Sequence, residues 1–342
     1  MPYQLVHDGV VREFEFYAPY GWPYWVERAF SDGDRDGLPL IIAMHGGGQN
    51  PANFAVDWPF PLLFNSSDNA NWEDRCFVLY PYGFSYVPGL DGEPSRGWNT
   101  GFSGAYLASQ NDVGFIRAML DAVEAMLDKE LRKVRSARRG IDRDRRFLFG
   151  YSMGGMLAYR LASEIPNTWG ALWVMAAAFG GRSHDGLTPT VTHPPQGHSS
   201  VSLFAHHGDL DVVVPPGPNN DPSGLALSTF LRDVYAATGI TSPDAEVYAS
   251  SQRHLAAAVL TYRTYNNCRS TAYDVQTGLA DVGPGAAGGS AQYTFRQDGN
   301  PANPEVIVYR DPLMEHTNFV ANRYFTASDV WDFFKAHPRI DL

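Results

Sequence analysis

Residues 150–155, with the sequence Gly-Tyr-Ser-Met-Gly-Gly, constrain the fold of this chain more than any other segment. They follow the apolar run 147–149 and precede residues 156–162, whose composition is typical of a helix. A Gly-x-Ser-x-Gly pattern between a strand and a helix is typical of a nucleophile elbow, a sharp turn that holds a serine hydroxyl at the edge of a sheet. The same pattern also occurs by chance in glycine-containing loops, so its interpretation depends on the rest of the chain.

The rest of the chain alternates strand-like and helix-like segments, which predicts an α/β fold with a mostly parallel central sheet and helices on both faces. Strands are predicted at residues 11–17, 40–44, 76–80, 146–149, 171–178, 201–205 and 305–309. One long helix is predicted to begin at Asp112, which is placed to cap its first turn, and a closing helix spans residues 327–335. No internal repeat or linker interrupts this order, so residues 1–342 are predicted to form a single domain.

Three stretches break the alternation, at residues 81–110, 179–200 and 215–255. All three should lie at the carboxyl ends of strands, where open α/β sheets form their binding sites. The last stretch contains a helical pattern near residues 225–237 and is predicted to be a lid-like insertion within the domain.

Composition excludes several classes of partner. The 342-residue chain has a formal net charge of -11, which argues against nucleic acid or an anionic membrane as a partner, because both attract basic surfaces. No segment has the roughly 20 apolar residues that cross a bilayer. The first residues lack the basic and apolar regions of a signal peptide, which favours a cytoplasmic protein unless a signal has been removed. Cys76 lies in a predicted strand, so Cys76 and Cys268 are expected to be free, and the oligomeric state stays open.

A serine hydroxyl needs a histidine to accept its proton and a carboxylate to hold that histidine. After a nucleophile elbow these partners follow in the order Ser, Asp or Glu, then His. Asp211 is the candidate acid for Ser152, because it comes soon after the strand predicted at 201–205. Asp209 is the rival, although its position beside Gly208 is typical of a turn residue.

His316 is the candidate base. It follows the strand predicted at 305–309 after a short loop, and it comes after Asp211 in the chain. His254 lies inside the predicted insertion and His337 lies beyond the last predicted helix, so neither has this placement.

An acyl-transfer site also needs backbone N–H groups that stabilise an oxyanion. One donor is expected from the residue after the nucleophile, which is Met153. The second is expected from the glycine-rich loop at residues 45–50, which follows the strand predicted at 40–44. Gly47 is the candidate there and Gly48 is the alternative.

No metal or cofactor is expected. His206 and His207 are adjacent, so their side chains should point to opposite faces of a strand. The other histidines of the central region, at positions 184, 193 and 198, lie among prolines and glycines and are typical of loop residues. The sequence has neither a phosphate-binding loop nor a dinucleotide fingerprint.

Taken together, these motifs resemble the polyhydroxybutyrate depolymerase-like and feruloyl esterase-like branch of the α/β-hydrolases. The resemblance covers most of the chain and rests on His45-Gly46-Gly47, Tyr80-Pro81-Tyr82-Gly83, Gly97-Trp98-Asn99, Asp112-Val113-Gly114-Phe115-Ile116, residues 150–155, His207-Gly208 with Asp211 and Pro215, Glu315-His316-Thr317, and Val330-Trp331-Asp332-Phe333-Phe334. It implies an α/β-hydrolase fold with Ser152, Asp211 and His316 as the triad, Gly47 in the oxyanion hole and Trp98 near the substrate. Most such proteins are secreted, and the insertion at 215–255 is longer than usual.

The residues and the resemblance predict a serine carboxylic ester hydrolase that acts on aryl, feruloyl-type, or short-chain esters. Five aromatic residues of the stretch 81–110 could line an acyl site or could instead pack the loop onto the sheet: Phe84, Tyr86, Trp98, Phe102 and Tyr106. A depolymerase of aliphatic polyesters or hydroxyalkanoate oligomers is the alternative substrate class. Alternatives of another class are a serine peptidase or acyltransferase, and a non-catalytic binding module that would not need Ser152.

Overall fold

A computed structural model describes residues 2–33, 35–64, 71–88, 94–100, 107, 109–134, 136, 138–179, 199–208, 211, 213–214, 255–266, 268, 274–277, 290–296, 304–311, 314–316 and 325–340. Most of the predicted insertion, including the helix predicted near residues 225–237, lies outside these residues. So do Asp209, Phe102 and Tyr106, and the side chain of Tyr86.

Strands and helices alternate through most of the described chain. The strands are β1 (Tyr3–His7), β2 (Val10–Tyr17), β3 (Leu38–Met44), β4 (Phe77–Pro81), β5 (Phe84–Pro88), β6 (Pro94–Gly97), β7 (Ile141–Tyr151), β8 (Ala171–Met175), β9 (Ser202–Gly208), β10 (Asp274–Thr277), β11 (Ala291–Arg296) and β12 (Glu305–Asp311). The helices are α1 (Trp22–Gly33), α2 (Pro51–Asp57), α3 (Phe60–Phe64), α4 (Asp112–Lys133), α5 (Met153–Glu164), α6 (Leu255–Tyr265) and α7 (Ala327–Ala336).

Within the described residues, ten strands form one sheet in the order β1-β2-β4-β3-β7-β8-β9-β12-β11-β10, and β5 and β6 form a separate hairpin. The six central strands, from β4 to β12, pair in parallel. Two antiparallel strands flank them on each side. The predicted mostly parallel sheet is therefore confirmed, while the antiparallel edges formed by β1, β10 and β11 were not predicted.

Apolar side chains cover both faces of this sheet, as a buried parallel sheet requires. Along β3, Ile42 packs in one apolar cluster with residues of α1, α4, α5 and α6. The next residue, Ala43, packs in a second cluster with residues of α2, α3 and α7. The helices therefore lie on both faces, and the chain has the predicted α/β-hydrolase fold.

The start of α4 corrects one expectation. Asn111, rather than Asp112, caps the helix, and its side-chain oxygen accepts a hydrogen bond from the Gly114 N–H at 3.0 Å. Asp112 instead points into the protein, where one oxygen accepts from Arg12 at 2.6 Å and the other from the Asn99 N–H at 2.6 Å. Asn and Asp are both residue types that cap helices. The buried Arg12 needs an acidic partner, because an unpaired buried charge is costly, and Asp112 supplies it while Asn111 caps the helix.

Cys76 and Cys268 are both buried and free, as expected. Burial raises the pKa of the Cys76 thiol well above its usual value and that of Cys268 to about 12. Both sulfurs are therefore held as thiols, which are poor nucleophiles. Among the described helices, none is long and apolar enough to cross a membrane.

Candidate active site

Ser152 lies on a strained turn between β7 and α5. Its backbone has φ 52° and ψ -121°, a conformation that non-glycine residues rarely adopt. The Ser152 N–H donates to the Met175 carbonyl at 2.9 Å, and the Ser152 carbonyl accepts from Met156 at 3.0 Å. The Ser152 hydroxyl makes no capping hydrogen bond to α5, so it is left for another partner.

Close backbone packing fixes this turn against the neighbouring strand. A methyl group placed on Gly154 would lie 2.1 Å from the Met44 carbonyl oxygen, closer than any side chain can approach. Only glycine fits at this position, so the first turn of α5 lies directly against the end of β3. The glycine spacing of the elbow motif therefore has a steric cause in this fold.

Three side chains that are distant in sequence form one chain of hydrogen bonds. His316 Nδ1 lies 2.7 Å from Asp211 Oδ2, and His316 Nε2 lies 3.0 Å from Ser152 Oγ. When the carboxylate accepts the Nδ1 proton, Nε2 is left to accept the hydroxyl proton of Ser152. The structure thus brings the predicted nucleophile, base and acid together in the arrangement that activates a serine.

Two loops at the ends of neighbouring strands carry Asp211 and His316. Strands β9 and β12 are parallel and aligned at their ends, where Gly208 pairs with Asp311. A methyl group on Gly208 would lie 2.1 Å from the Met314 carbonyl oxygen, so the two loops touch through their backbones. This contact brings together residues that are 105 positions apart in the sequence.

Asp211 is 2 % exposed, and both of its oxygens are satisfied. Its Oδ1 accepts from the N–H groups of Val213 and Val214 at 3.0 and 2.7 Å, while Oδ2 faces His316. Backbone donors compensate the cost of burying a carboxylate and also fix its orientation. Asp211 is thus held in a fixed orientation with Oδ2 facing the imidazole.

His207 and Tyr151 support the site and were not predicted to do so. His207 Nε2 donates to the Val214 carbonyl at 2.7 Å and lies 3.6 Å from Asp211 Oδ2, so it holds the Asp211 turn. The Tyr151 hydroxyl donates to the His316 carbonyl at 2.7 Å. Burial and the charge of Asp211 raise the pKa of Tyr151 to about 12, so its hydroxyl keeps the proton that it donates.

In the loop after β3, the two candidate glycines differ in the partners that their amides have within the described part of the chain. The Gly46 N–H donates to Gln49 Oε1 at 2.7 Å, and the Gly48 N–H donates to the Arg96 carbonyl at 2.7 Å. The Gly47 N–H has no such bond, and Gly47 is exposed. Of the two candidate glycines, the structure therefore favours Gly47 as the donor.

Met153 is the first residue of α5, where the N–H has no acceptor within the helix. Its side chain lies against Gly47, because a methyl group placed on Gly47 would be 2.6 Å from Met153 Sδ. The two predicted oxyanion donors are thus carried by neighbouring segments beside Ser152.

The buried His45 side chain forms hydrogen bonds that hold the same loop. Its Nδ1 donates to the Gly46 carbonyl at 2.7 Å, and its Nε2 accepts from the Gly83 N–H at 3.0 Å. Burial lowers the pKa of His45 to about 4, and the positive charge of Arg96 acts in the same direction. The neutral imidazole therefore joins the β3 loop to the turn before β5.

The pKa of His45 predicts a loss of stability in mild acid. The unfolded chain binds this proton near pH 6.5, whereas the folded chain binds it only near pH 4. The free energy of unfolding should therefore be insensitive to His45 above pH 6.5 and fall by about 1.4 kcal/mol per pH unit below it. His206, whose pKa burial lowers to about 3, adds to the same effect. Urea unfolding between pH 8 and 5 measures it, and a constant midpoint from pH 7 to 5 would contradict it.

Trp98, which the resemblance places near the substrate, is a buried residue of the stretch after β4. Its side chain is 0 % exposed, and its indole N–H donates to the His45 carbonyl at 2.8 Å. The structure therefore favours a supporting role for Trp98 beneath the glycine-rich loop over direct substrate contact. Phe84, which lies on the same stretch, is half-buried.

His206 and His207 have different surroundings. The ring of His206 packs against the rings of Tyr309 and Phe325, with centroids 5.0 and 5.2 Å away, while His207 faces the Asp211 turn. Among the described residues, no group of three or more His, Cys, Asp or Glu side chains is arranged to hold a metal ion.

No protein-family model matches the sequence, and a search of curated proteins found no match. Similar solved structures include an acetyl xylan esterase from Aspergillus awamori, with 12% identity and a TM-score of 0.47 over 98% of this chain and 99% of that chain. Native sOPH has 20% identity and a TM-score of 0.41 over 63% and 70% of the two chains. The Bacillus cereus carboxylesterase has 15% identity and a TM-score of 0.33 over 60% and 74%. At these values the similarities do not assign the chain to a family.

Proposed function

We propose that this protein is a serine carboxylic ester hydrolase that acts through an acyl-enzyme. The observation that carries the proposal is the hydrogen-bonded chain from Ser152 Oγ through His316 to the buried Asp211, with contacts of 3.0 and 2.7 Å. The strained backbone of Ser152 adds support, because such strain is common at catalytic turns.

The proposed reaction begins when Ser152 Oγ attacks the ester carbonyl and His316 Nε2 takes the hydroxyl proton. Asp211 stabilises the charged imidazole that results and keeps its Nδ1 proton in place. The alcohol then leaves with the proton held by His316. A water molecule, deprotonated by His316 in the same way, hydrolyses the acyl-enzyme and releases the acid.

The N–H groups of Gly47 and Met153 are assigned the role of stabilising the negative charge that develops on the carbonyl oxygen. Supporting this, the Gly47 amide has no partner within the described residues, and the Met153 amide is at a helix N-terminus. One such donor contributes about 3–4 kcal/mol to the transition state.

The proposed substrates are aryl or short-chain esters, since the stretch after β4 is rich in aromatic residues and Phe84 is half-buried there. Rates on p-nitrophenyl acetate, p-nitrophenyl octanoate, methyl ferulate and a hydroxybutyrate oligomer test this class. We expect turnover of the acetate and of the ferulate to exceed that of the other two. Preference for the oligomer would replace the aryl assignment with the polyester one.

Labelling with a fluorophosphonate tests the mechanism separately from the substrate. The reagent should attach to the peptide that contains Ser152, because only an activated serine displaces its fluoride at a useful rate. If the protein is not labelled and also hydrolyses no ester, the proposed function is contradicted. Labelling without ester hydrolysis would instead point to an amide or acyl-transfer substrate.

A further inference from the structure

The side chain of Met153 lies against Gly47, and these two residues carry the amides that the proposed function assigns to the oxyanion. Its sulfur lies against Gly47, and Gly47 is exposed to solvent. The Met153 side chain is itself partly buried, with part of its surface open. The partly exposed Met153 side chain is therefore in contact with the loop that would bind the transition state.

We propose that Met153 is a site of reversible oxidation by peroxides and that its sulfoxide switches off the esterase; the switching rests on the proposed function. In this step the Met153 sulfur takes one oxygen atom from hydrogen peroxide. The thioether is oxidised by two electrons to a sulfoxide, the O–O bond breaks, and the peroxide is reduced to water.

The position of the sulfur explains why oxidation affects activity. The sulfoxide oxygen is a strong hydrogen-bond acceptor, and it is introduced beside Gly47, whose N–H has no other partner within the described residues. It therefore competes with the substrate oxyanion for that donor. The loss of one oxyanion donor lowers kcat by roughly 100-fold or more.

Most other sulfur atoms in the described chain are less exposed than Met153. Five of the methionines are at most 9 % exposed, namely Met44, Met119, Met156, Met175 and Met314. The two cysteines are buried and held as thiols. Met126, on α4, is partly buried like Met153 but lies outside the site, so it provides a matched control.

The test compares wild type, Met153→Leu and Met126→Leu before and after treatment with hydrogen peroxide. Each variant is measured against its own untreated ester-hydrolysis rate. Fragmentation of the tryptic peptide 147–160, which contains both Met153 and Met156, locates the added oxygen. We expect wild type and Met126→Leu to lose roughly 99% of kcat as Met153 gains oxygen. Met153→Leu should keep its own untreated rate. Treatment with methionine sulfoxide reductase should restore the wild type.

Three results would overturn the proposal. Met153→Leu could lose its rate as fast as the wild type, Met153 could gain oxygen no faster than the buried methionines, or Met153 sulfoxide could form without loss of rate. If the untreated protein hydrolyses no ester, the proposed function fails instead. The peptide masses and the fluorophosphonate labelling of Ser152 then still decide whether oxidation occurs at Met153 and impairs the site.

Discussion

Ser152→Ala is expected to lower kcat for ester hydrolysis by on the order of 10⁶-fold, the largest effect of any single substitution in this chain. In the proposed mechanism the hydroxyl supplies the atom that forms the acyl-enzyme, and Ser152 Oγ is the group that lies 3.0 Å from His316 Nε2. The fold should be retained, because alanine tolerates the backbone of Ser152 no worse than serine does and the hydroxyl caps no helix. Initial rates and thermal unfolding of both proteins check the two halves of this expectation.

Ser163→Ala is the matched control. Ser163 lies on the same helix, α5, and its hydroxyl donates to the Tyr159 carbonyl at 3.1 Å, away from the site. We expect this variant to hydrolyse esters at the wild-type rate. A Ser152→Ala protein that is folded and retains even a hundredth of the wild-type kcat would show that Ser152 is not the nucleophile.

Asp211→Asn is expected to lower kcat by roughly 10⁴-fold while the protein stays folded. The N–H groups of Val213 and Val214 require an oxygen at the position of Oδ1, so the amide NH₂ of the variant must face His316. His316 Nδ1 then becomes an acceptor and its proton moves to Nε2. That tautomer donates to Ser152 Oγ and cannot take its proton.

Asp209→Asn makes the same change of charge two residues earlier and tests the rival acid. We expect it to hydrolyse esters at nearly the wild-type rate. The pair is compared through kcat and KM on p-nitrophenyl acetate. A larger loss of kcat in Asp209→Asn than in Asp211→Asn would make Asp209, rather than Asp211, the acid that orients His316.

Local sequence patterns were sufficient to place the elbow. The glycine at 154 is required because β3 and α5 touch there, and this requirement appears directly in the motif. Asp211 and His316 were found from chain order, since each follows a strand of a parallel sheet and such strands end at one edge.

Contacts between distant residues could not be found in this way. The bond from Tyr151 to His316 joins residues 165 positions apart, and no local pattern requires a tyrosine before the serine. Capping propensity alone could not choose Asn111 over Asp112 as the cap of α4, because the choice depends on Arg12 in strand β2. The aromatic character of Trp98 likewise does not predict whether its side chain is buried beside His45 or faces the substrate.

The alternation of apolar residues was weakest at the sheet edges. Strand β10 is four residues long and β11 has polar residues at alternate positions, so neither resembles the apolar central strands. Both strands pair antiparallel, and β10 has a neighbour on one side only. An antiparallel sheet can face water on one side, which relaxes the requirement for a continuous apolar run.

The contact between Gly154 and Met44 has a consequence for how this protein can diversify. It is made by backbone atoms, and it joins the strand that leads into the Gly47 loop to the helix that begins at Met153. The spacing of those two amides is therefore independent of which side chains surround the site. If the proposed function holds, mutation and selection can change the side chains around Ser152 one by one while the two amides keep their spacing.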